Sequence, residues 1–334
     1  MQAAVKIENL RKTYGDTIAV DGISLNVAQG QIYGLLGPNG AGKTTTMRCI
    51  CTLTRPDSGM IEVAGATEVR AIRDRLGYVA QEVALDKVLT GRELLKFQAA
   101  LYHIPAKQIG DRIEYVLDLL QLQPYADKLS GTYSGGLKKR LDLAAGLLHQ
   151  PAVLILDEPT VGLDIQSRLA IWEFLRKLRT LGVTVLVSSH YLEEIDALAD
   201  RVAIINRGKI IAEGTTDELK NKVGGDRITI RIREFAEFQE AERAQKILQQ
   251  LPIVQSITIN PAQGNAVNLF VTPEPNAIME IQNMLAAVDI EVFSLSQSRP
   301  SLDDVFLAAT GQTILDAEIA QAELAIANRG KKKK

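Results

Sequence analysis

The feature that most constrains this chain is the run Gly37-Pro38-Asn39-Gly40-Ala41-Gly42-Lys43-Thr44, set between the apolar stretch Ile32 to Leu36 and a helical pattern running through Ile50. It has the spacing of the Walker A phosphate loop, and a strand before it with a helix after it is the context that loop requires. Glycines let the backbone curl so that consecutive N–H groups face anionic oxygens at a helix N-terminus, where the helix dipole favours negative charge. Lys43 then reaches terminal phosphates and Thr44 offers its hydroxyl to magnesium. Thr45 follows in the first helical turn and is counted among the nucleotide contacts. A glycine-rich turn before an ordinary helix is the competing reading, and the flanking strand and helix weigh against it.

A second segment fits the same chemistry. Ala152 to Leu156 is a leucine- and β-branched-rich strand ending in Asp157-Glu158, as expected of a buried parallel strand delivering carboxylates to its C-terminal edge. Asp157 is expected to hold magnesium through water, and Glu158 to polarise an attacking water as general base. Alone, an acidic pair after a strand is more often a helix cap. Beside a phosphate loop the catalytic reading is preferred.

The 334 residues exceed the usual size of one domain, so two domains are expected, each with its own core. A hydrophobic fraction of 46% and a charged fraction of 23% are those of a globular chain, and a net charge of -2 gives no bulk reason to expect nucleic-acid binding. Cys49 and Cys51 lie two apart in a helical pattern, which points them to different faces and argues against a mutual disulfide. No stretch approaches the roughly 18 to 20 apolar residues of a membrane-spanning helix, so any membrane role belongs to another chain. The N-terminus has no basic region followed by an apolar core, so no secretory signal is expected.

From Val5 to about Val223 strands alternate with helices, an α/β pattern, interrupted by helical stretches near Arg92 to Leu101 and Gln108 to Leu122 that form a helical lobe. Residues 1–224 are therefore expected to be one domain, with a helical subdomain over about 90–150. After Gly224-Gly225 the pattern changes to strand Arg227 to Ile232, helix Glu234 to Leu251, strands Val254 to Ile259 and Ala266 to Val271, helix Ala277 to Val288 and strand Ile290 to Leu295. That β-α-β-β-α-β order predicts a small ferredoxin-like α+β domain over 225–311, closed by a helix Ser301 to Ala309 with a serine cap and Gly311 after it. Residues 312–334 are expected to be a helical tail, with Leu315, Ile319, Ala322 and Ile326 on one stripe and Arg329 and Lys331 to Lys334 at its end.

Between the two site segments lies Tyr133-Ser134-Gly135-Gly136-Leu137, followed by Lys138-Lys139-Arg140-Leu141-Asp142-Leu143-Ala144. This resembles the signature sequence of ABC cassettes and its helix, and the chain over residues 5 to about 223 resembles the ATP-binding subunits of ABC transporters. Tyr14, Gln81 within Gly77 to Glu82, Pro159 to Asp164 and His190 within Ser188-Ser189-His190 match other family elements in order. The resemblance implies a P-loop NTPase fold that binds ATP and Mg2+. It implies that Tyr14 stacks on adenine, that Gln81 senses magnesium and water while relaying movement to a membrane subunit, that Asp164 lies in the D-loop, and that His190 contacts the γ-phosphate. It also implies that Ser134, Gly135 and Gly136 close over ATP held by a second cassette, in the simplest case an identical chain. The common family form is Leu-Ser-Gly-Gly-Gln, so Tyr133 and Leu137 depart from it while the Ser-Gly-Gly centre is intact.

Ser301-Leu302-Asp303-Asp304-Val305-Phe306-Leu307 with Thr310-Gly311 resembles the C-terminus of daunorubicin-resistance-type ATP-binding subunits, whose membrane half is a separate ABC-2-type permease. That resemblance implies an exporter ATPase at the cytoplasmic face of the membrane, held there through the permease. The alternative, a non-transport ABC ATPase acting on nucleic acid or ribosomes, is disfavoured by a single cassette without a long coiled-coil insertion. No nucleic-acid partner is expected.

Overall fold

The structure, a computed structural model, describes residues 3–233, 236–320 and 323. It divides into two compact units, residues 1–210 and 211–334.

The first unit opens with two long strands, β1 (Ala3–Tyr14) and β2 (Thr17–Ala28), paired as an antiparallel hairpin. β3 (Ile32–Leu36) leads through the glycine-rich loop into α1 (Lys43–Ile50). β4 (Ser58–Val63) then returns to pair with β1, giving a three-stranded sheet in the order β2-β1-β4. α2 (Val69–Arg75) and β5 (Leu76–Val79) follow, and then three helices, α3 (Gly91–Leu101), α4 (Ala106–Leu119) and α5 (Gly135–Leu147). Thr90 and Glu93 form a reciprocal capping box on α3, satisfying backbone donors that a helix start leaves open. The chain re-enters the sheet as β6 (Val153–Asp157) and continues through α6 (Ile165–Thr180), β7 (Thr184–Ser189), α7 (Leu192–Leu198), β8 (Arg201–Asn206) and β9 (Lys209–Gly214).

The second sheet has the order β5-β6-β7-β3-β8-β9, and the pairs from β5 to β8 are parallel. β3, β6 and β7 are buried at every position, which suits the apolar runs Ile32 to Leu36, Val153 to Leu156 and Val185 to Val187 that form most of them. Burying each of their leucine, isoleucine and valine side chains contributes about 1.5–3 kcal/mol. Cys49 and Cys51 are both buried free thiols. Among the described residues no helix is long and apolar enough to cross a membrane.

In the second unit, α8 (Thr216–Val223), β10 (Asp226–Arg231), α9 (Phe238–Leu248), β11 (Val254–Asn260), β12 (Ala266–Val271), α10 (Ala277–Ala286), β13 (Ser294–Ser298) and α11 (Leu302–Thr310) follow in order. The sheet order is β11-β12-β10-β13, with every neighbouring pair antiparallel. Ile228, Ile230, Val267 and Leu269 face a core completed by Ala241, Ala244 and Leu248 of α9 and Ile281 and Leu285 of α10.

The opposite face is also closed, by a polar cluster. The Thr229 hydroxyl and the Arg227 Nε donate to Asn268 Oδ1 at 2.8 and 3.1 Å, and Arg227 Nη1 donates to Asp304 Oδ1 at 2.7 Å. The other Asp304 oxygen takes the Ser301 N–H and hydroxyl, so one carboxylate completes the capping box of α11 and holds β10. α11 packs on α8, which accounts for α8 grouping with the second unit.

Two sequence expectations shift. The strand expected over Ile290 to Leu295 starts later, at Ser294: the Ile290 N–H bonds to Leu285 O at the end of α10 and its side chain joins the core, so pairing with β10 begins only afterwards. The helix expected over Glu234 to Leu251 is the shorter α9, and Phe235 lies outside the described residues. Residues 314–320 are helical, with Ile314 and Ala317 buried and Leu315 and Ile319 turned outward. Ala322, Ile326, Arg329 and Lys331 to Lys334 lie outside the described residues.

Replacing Arg227 with methionine leaves the Asp304 carboxylate, 1% exposed, without its counter-charge. Breaking such a pair costs about 3–5 kcal/mol. Urea unfolding followed by hydrogen exchange in β10 and β12 should show that loss confined to the second unit. A native midpoint would mean the Ser301 bonds suffice for Asp304.

Candidate functional site

The site forms where the sheet order sets β6, β7 and β3 side by side. Asp157 ends β6 in parallel register with Ser188 of β7, and the glycine-rich loop leaves β3, the next strand. Chain ends beyond the carboxyl edge of an open parallel sheet are where such folds gather ligand-binding groups.

Asp157 and Glu158 are both buried, 1% and 5% exposed. Glu158 has a left-handed backbone with φ 46°, a conformation that costs a non-glycine residue about 1–2 kcal/mol. The turn sends the two carboxylates to different partners. Asp157 Oδ1 accepts from the hydroxyls of Ser188 at 2.6 Å and Thr44 at 3.1 Å. The Ser188 oxygen in turn accepts the Glu158 N–H at 3.0 Å, so one hydroxyl fixes both acids.

Three further segments converge on Glu158. Lys43 Nζ lies 3.3 Å from its Oε1, His190 Nδ1 3.2 Å from its Oε2, and the Gln81 side-chain amide donates to Oε2 at 3.4 Å. Burial pushes the Glu158 carboxyl up, but the His190 hydrogen bond and the Lys43 and His190 charges outweigh it and hold it below the ordinary value. Lys43 also donates to the carbonyls of Gly37 at 2.7 Å and Pro38 at 3.1 Å, closing the loop on itself.

Gly42, the N-cap of α1, has φ 110°, and a Cβ there would sit 2.4 Å from Ala19 O of β2. Glycine at 42 therefore lets the β1–β2 hairpin approach the loop. Tyr14 ends the first strand of that hairpin, paired with Thr17 and 48% exposed, with the Lys12 ammonium 5.4 Å from its ring centroid. Gly37, Pro38 and Ala41 are buried, Asn39 and Gly40 are exposed at the tip, and Thr44 and Thr45 are half-buried at the start of α1. The loop and the Thr44–Asp157 pair offer backbone N–H groups beside hard oxygen ligands, which suits a nucleotide phosphate with a magnesium ion.

Ser134, Gly135 and Gly136 are not part of this cluster. They open α5 elsewhere on the unit, with Ser134 and Gly135 exposed and the Ser134 oxygen capping the helix through the Leu137 N–H at 3.3 Å. A Cβ on Gly136 would lie 2.2 Å from the Ser167 hydroxyl of α6, whereas one on Gly135 would meet only ordinary contact. Ser167 N–H and hydroxyl both bond to Asp164, the N-cap of α6, whose carboxyl is held low by those bonds.

Sequence reasoning gives Ser188 no role, and its signal is its place opposite Asp157 on the adjacent strand. Tyr133, in the sequence a departure from the common family form, is 5% exposed. Its hydroxyl donates to Tyr125 O and abuts Gly91, so it ties the helical lobe together.

Residues 20–161 match the family described as ABC transporter, and residues 214–310 match that described as ATP-binding protein DrrA1-3-like, C-terminal domain. The chain is 42% identical over 311 residues to the daunorubicin resistance ATP-binding protein DrrA3 of Streptomyces coeruleorubidus, covering 92% of this chain and 96% of that protein. It is 34% identical over 317 residues to the Nod factor export ATP-binding protein I of Sinorhizobium fredii, covering 94% and 88%. A solved dimeric, post-hydrolysis state of the ATP-binding cassette MJ0796, bound to ADP and Pi, aligns with a TM-score of 0.57 at 25% identity, covering 63% of this chain and 98% of that one.

Ser188→Ala removes a donor to Asp157 and an acceptor from the Glu158 N–H in a fully buried place. A loss of about 1–3 kcal/mol is expected in urea unfolding of the first unit. An unchanged midpoint would show that Thr44 alone fixes Asp157.

Proposed function

The chain belongs to the ATP-binding proteins of ABC transporters, and on that premise we propose that it is the ATP-hydrolysing subunit of an exporter, driving an ABC-2-type membrane permease through ATP-dependent pairing of two cassettes. The observation that carries this reading is the convergence of Lys43, His190 and Gln81 on the Glu158 carboxylate, beside the Asp157–Thr44 pair.

Glu158 acts as general base toward the attacking water, a role open to a carboxylate that stays ionised. Lys43 must leave Glu158 to meet a phosphate, which frees Oε1 to accept from that water. His190, already on the other oxygen, orients the carboxylate and reaches toward the γ-phosphate. Gly37 to Gly42 and Thr45 cradle the phosphates, and Tyr14 stacks on adenine. Thr44, Asp157 and Gln81 would hold magnesium, which supplies charge neutralisation at the phosphates when bound. Ser134, Gly135 and Gly136 face the partner's nucleotide, with Asp164 beside them on α6. The exposure of Ser134 and Gly135 supports that outward role.

A docking place for the permease is supported by a cavity of about 480 Å3 next to the Gln81 loop, lined by Leu85, Leu89, Phe97, Gln98 and Tyr102. Phe97 on its lining is 58% exposed, and Val88, between lining residues Asp86 and Leu89 in sequence, is 74% exposed. The exporter assignment follows the relatives named for resistance and export.

Glu158→Gln should lower turnover by roughly 10²- to 10⁴-fold and trap an ATP-bound dimer on size exclusion. It also loosens the Lys43 anchor, so equilibrium ATP binding should tighten roughly 2- to 12-fold. Native turnover in this variant would remove Glu158 as the base. In mixed dimers, Ser134→Arg on one chain beside Lys43→Ala on the other separates the two nucleotides. Loss at the Ser134→Arg chain's own loop would overturn the in-trans assignment.

A further inference from the structure

Lys139 is a charged side chain in a place where an apolar one would be expected. It lies on α5, five residues past Ser134, and is 3% exposed. Burying an ammonium is costly unless its donors are met. Here they are met by the loop after β5: Lys139 Nζ donates to Ala80 O at 2.6 Å and to Gln81 O at 3.4 Å, with Asp142 Oδ2 3.9 Å away.

The far half of the same loop is held from the other flank of the signature. The Ser130 hydroxyl donates to Asp86 O at 2.6 Å, and the backbone N–H groups of Ser130 and Gly131 bond to the carbonyls of Leu89 and Lys87. Loop 80–89 is thus fastened at Ser130 and at Lys139, on either side of Ser134-Gly135-Gly136. The Gln81 side chain meets Glu158 through a single long contact at 3.4 Å, so its place depends on where the backbone of Ala80 and Gln81 is held.

We propose that Lys139 is a positioning residue which, with Ser130, locks the Gln81 loop to the signature segment, so that closure on Ser134 to Gly136 sets Gln81 in the same chain's site. This rests on the reading above, in which the signature serves the partner's nucleotide and Gln81 the chain's own. The two sites of a pair are then linked through each chain, and the link is the buried ammonium.

The test uses the full chain with Lys139→Met, which keeps the packing and removes the donor, and Lys139→Arg, which keeps a donor. Lys139→Met/Asp142→Asn removes both charges and guards against simple unfolding. Hydrogen exchange without added nucleotide should quicken about tenfold or more at the amides of Ser130 and Gly131, which hold the loop through the carbonyls of Leu89 and Lys87, in the methionine variants, while α5 and β6 keep native rates. The kcat should fall roughly 10- to 100-fold with the KM for ATP within about twofold, and arginine should restore most of it. In a double-mutant cycle, adding Lys139→Met to Gln81→Ala should cost nothing further. Native loop exchange, or losses that add independently, would overturn the proposal. If Gln81→Ala alone leaves kcat unchanged, the catalytic reading of Gln81 fails, and loop exchange still decides whether Lys139 holds the loop.

Discussion

Two carboxylates at the end of a strand buried on both faces are the constraint from which the rest of the first unit follows. Unpaired, each would cost several kcal/mol in that environment. Asp157 and Glu158 are tolerable only because hydroxyl, ammonium, imidazole and amide groups arrive from α1, β7, the loop after β7 and the loop after β5. None of those segments adjoins β6 in sequence. What brings them together is the order β6-β7-β3, which places Ser188 beside Asp157 and delivers the glycine-rich loop from the strand beyond. The strain at Glu158 belongs to the same arrangement: its left-handed backbone breaks the strand's alternation just where the carboxylate meets Lys43, His190 and Gln81.

The second unit solves a different version of the problem. Its sheet has an apolar core on one face, and on the other the polar residues Arg227, Thr229 and Asn268 are buried or half-buried rather than solvated. They are acceptable because each finds a partner within the cluster, and Asp304 closes it. The Ser301-Leu302-Asp303-Asp304 segment therefore has work inside this unit: serine caps α11, aspartate caps and pairs, and Leu302, Val305 and Phe306 are buried. That use explains the residue types without any contact beyond the unit.

How far the sequence could be read depended on whether each signal was local. The glycine-rich loop, the acidic pair and the capped helix at Ser301 are short-range patterns whose positions are legible at once, although the acidic pair takes its meaning only from the loop beside it. Ser188 is not, because its role exists only after β6 and β7 are aligned. Gly136 reads in sequence as part of an anion site, but its lack of a side chain is required by the close approach of Ser167. Asn268 sits in a strand buried at every position, where alternation carries no information about which face is the core. The late start of β13 has a similar cause: Ile290 and Val292 alternate like strand residues, yet they fill the core ahead of the pairing edge.

On the proposed reading, the two segments that face phosphates differ in how much each must rearrange to receive a ligand. At the glycine-rich loop Lys43 is engaged with two carbonyls and a buried carboxylate, so binding there exchanges one set of strong contacts for another. At α5 the competing bond is the 3.3 Å cap from Leu137 to Ser134, a contact worth about 0.5–1.5 kcal/mol, and the helix end is already exposed. Behind it Gly136 bears on Ser167, which is held by Asp164, so this face is rigidly backed by α6. On the proposed reading the latched site must open first, and the preformed face closes afterwards. Occupancy of the loop would then precede pairing, because little in the signature needs to change until a partner's phosphate is there to meet it.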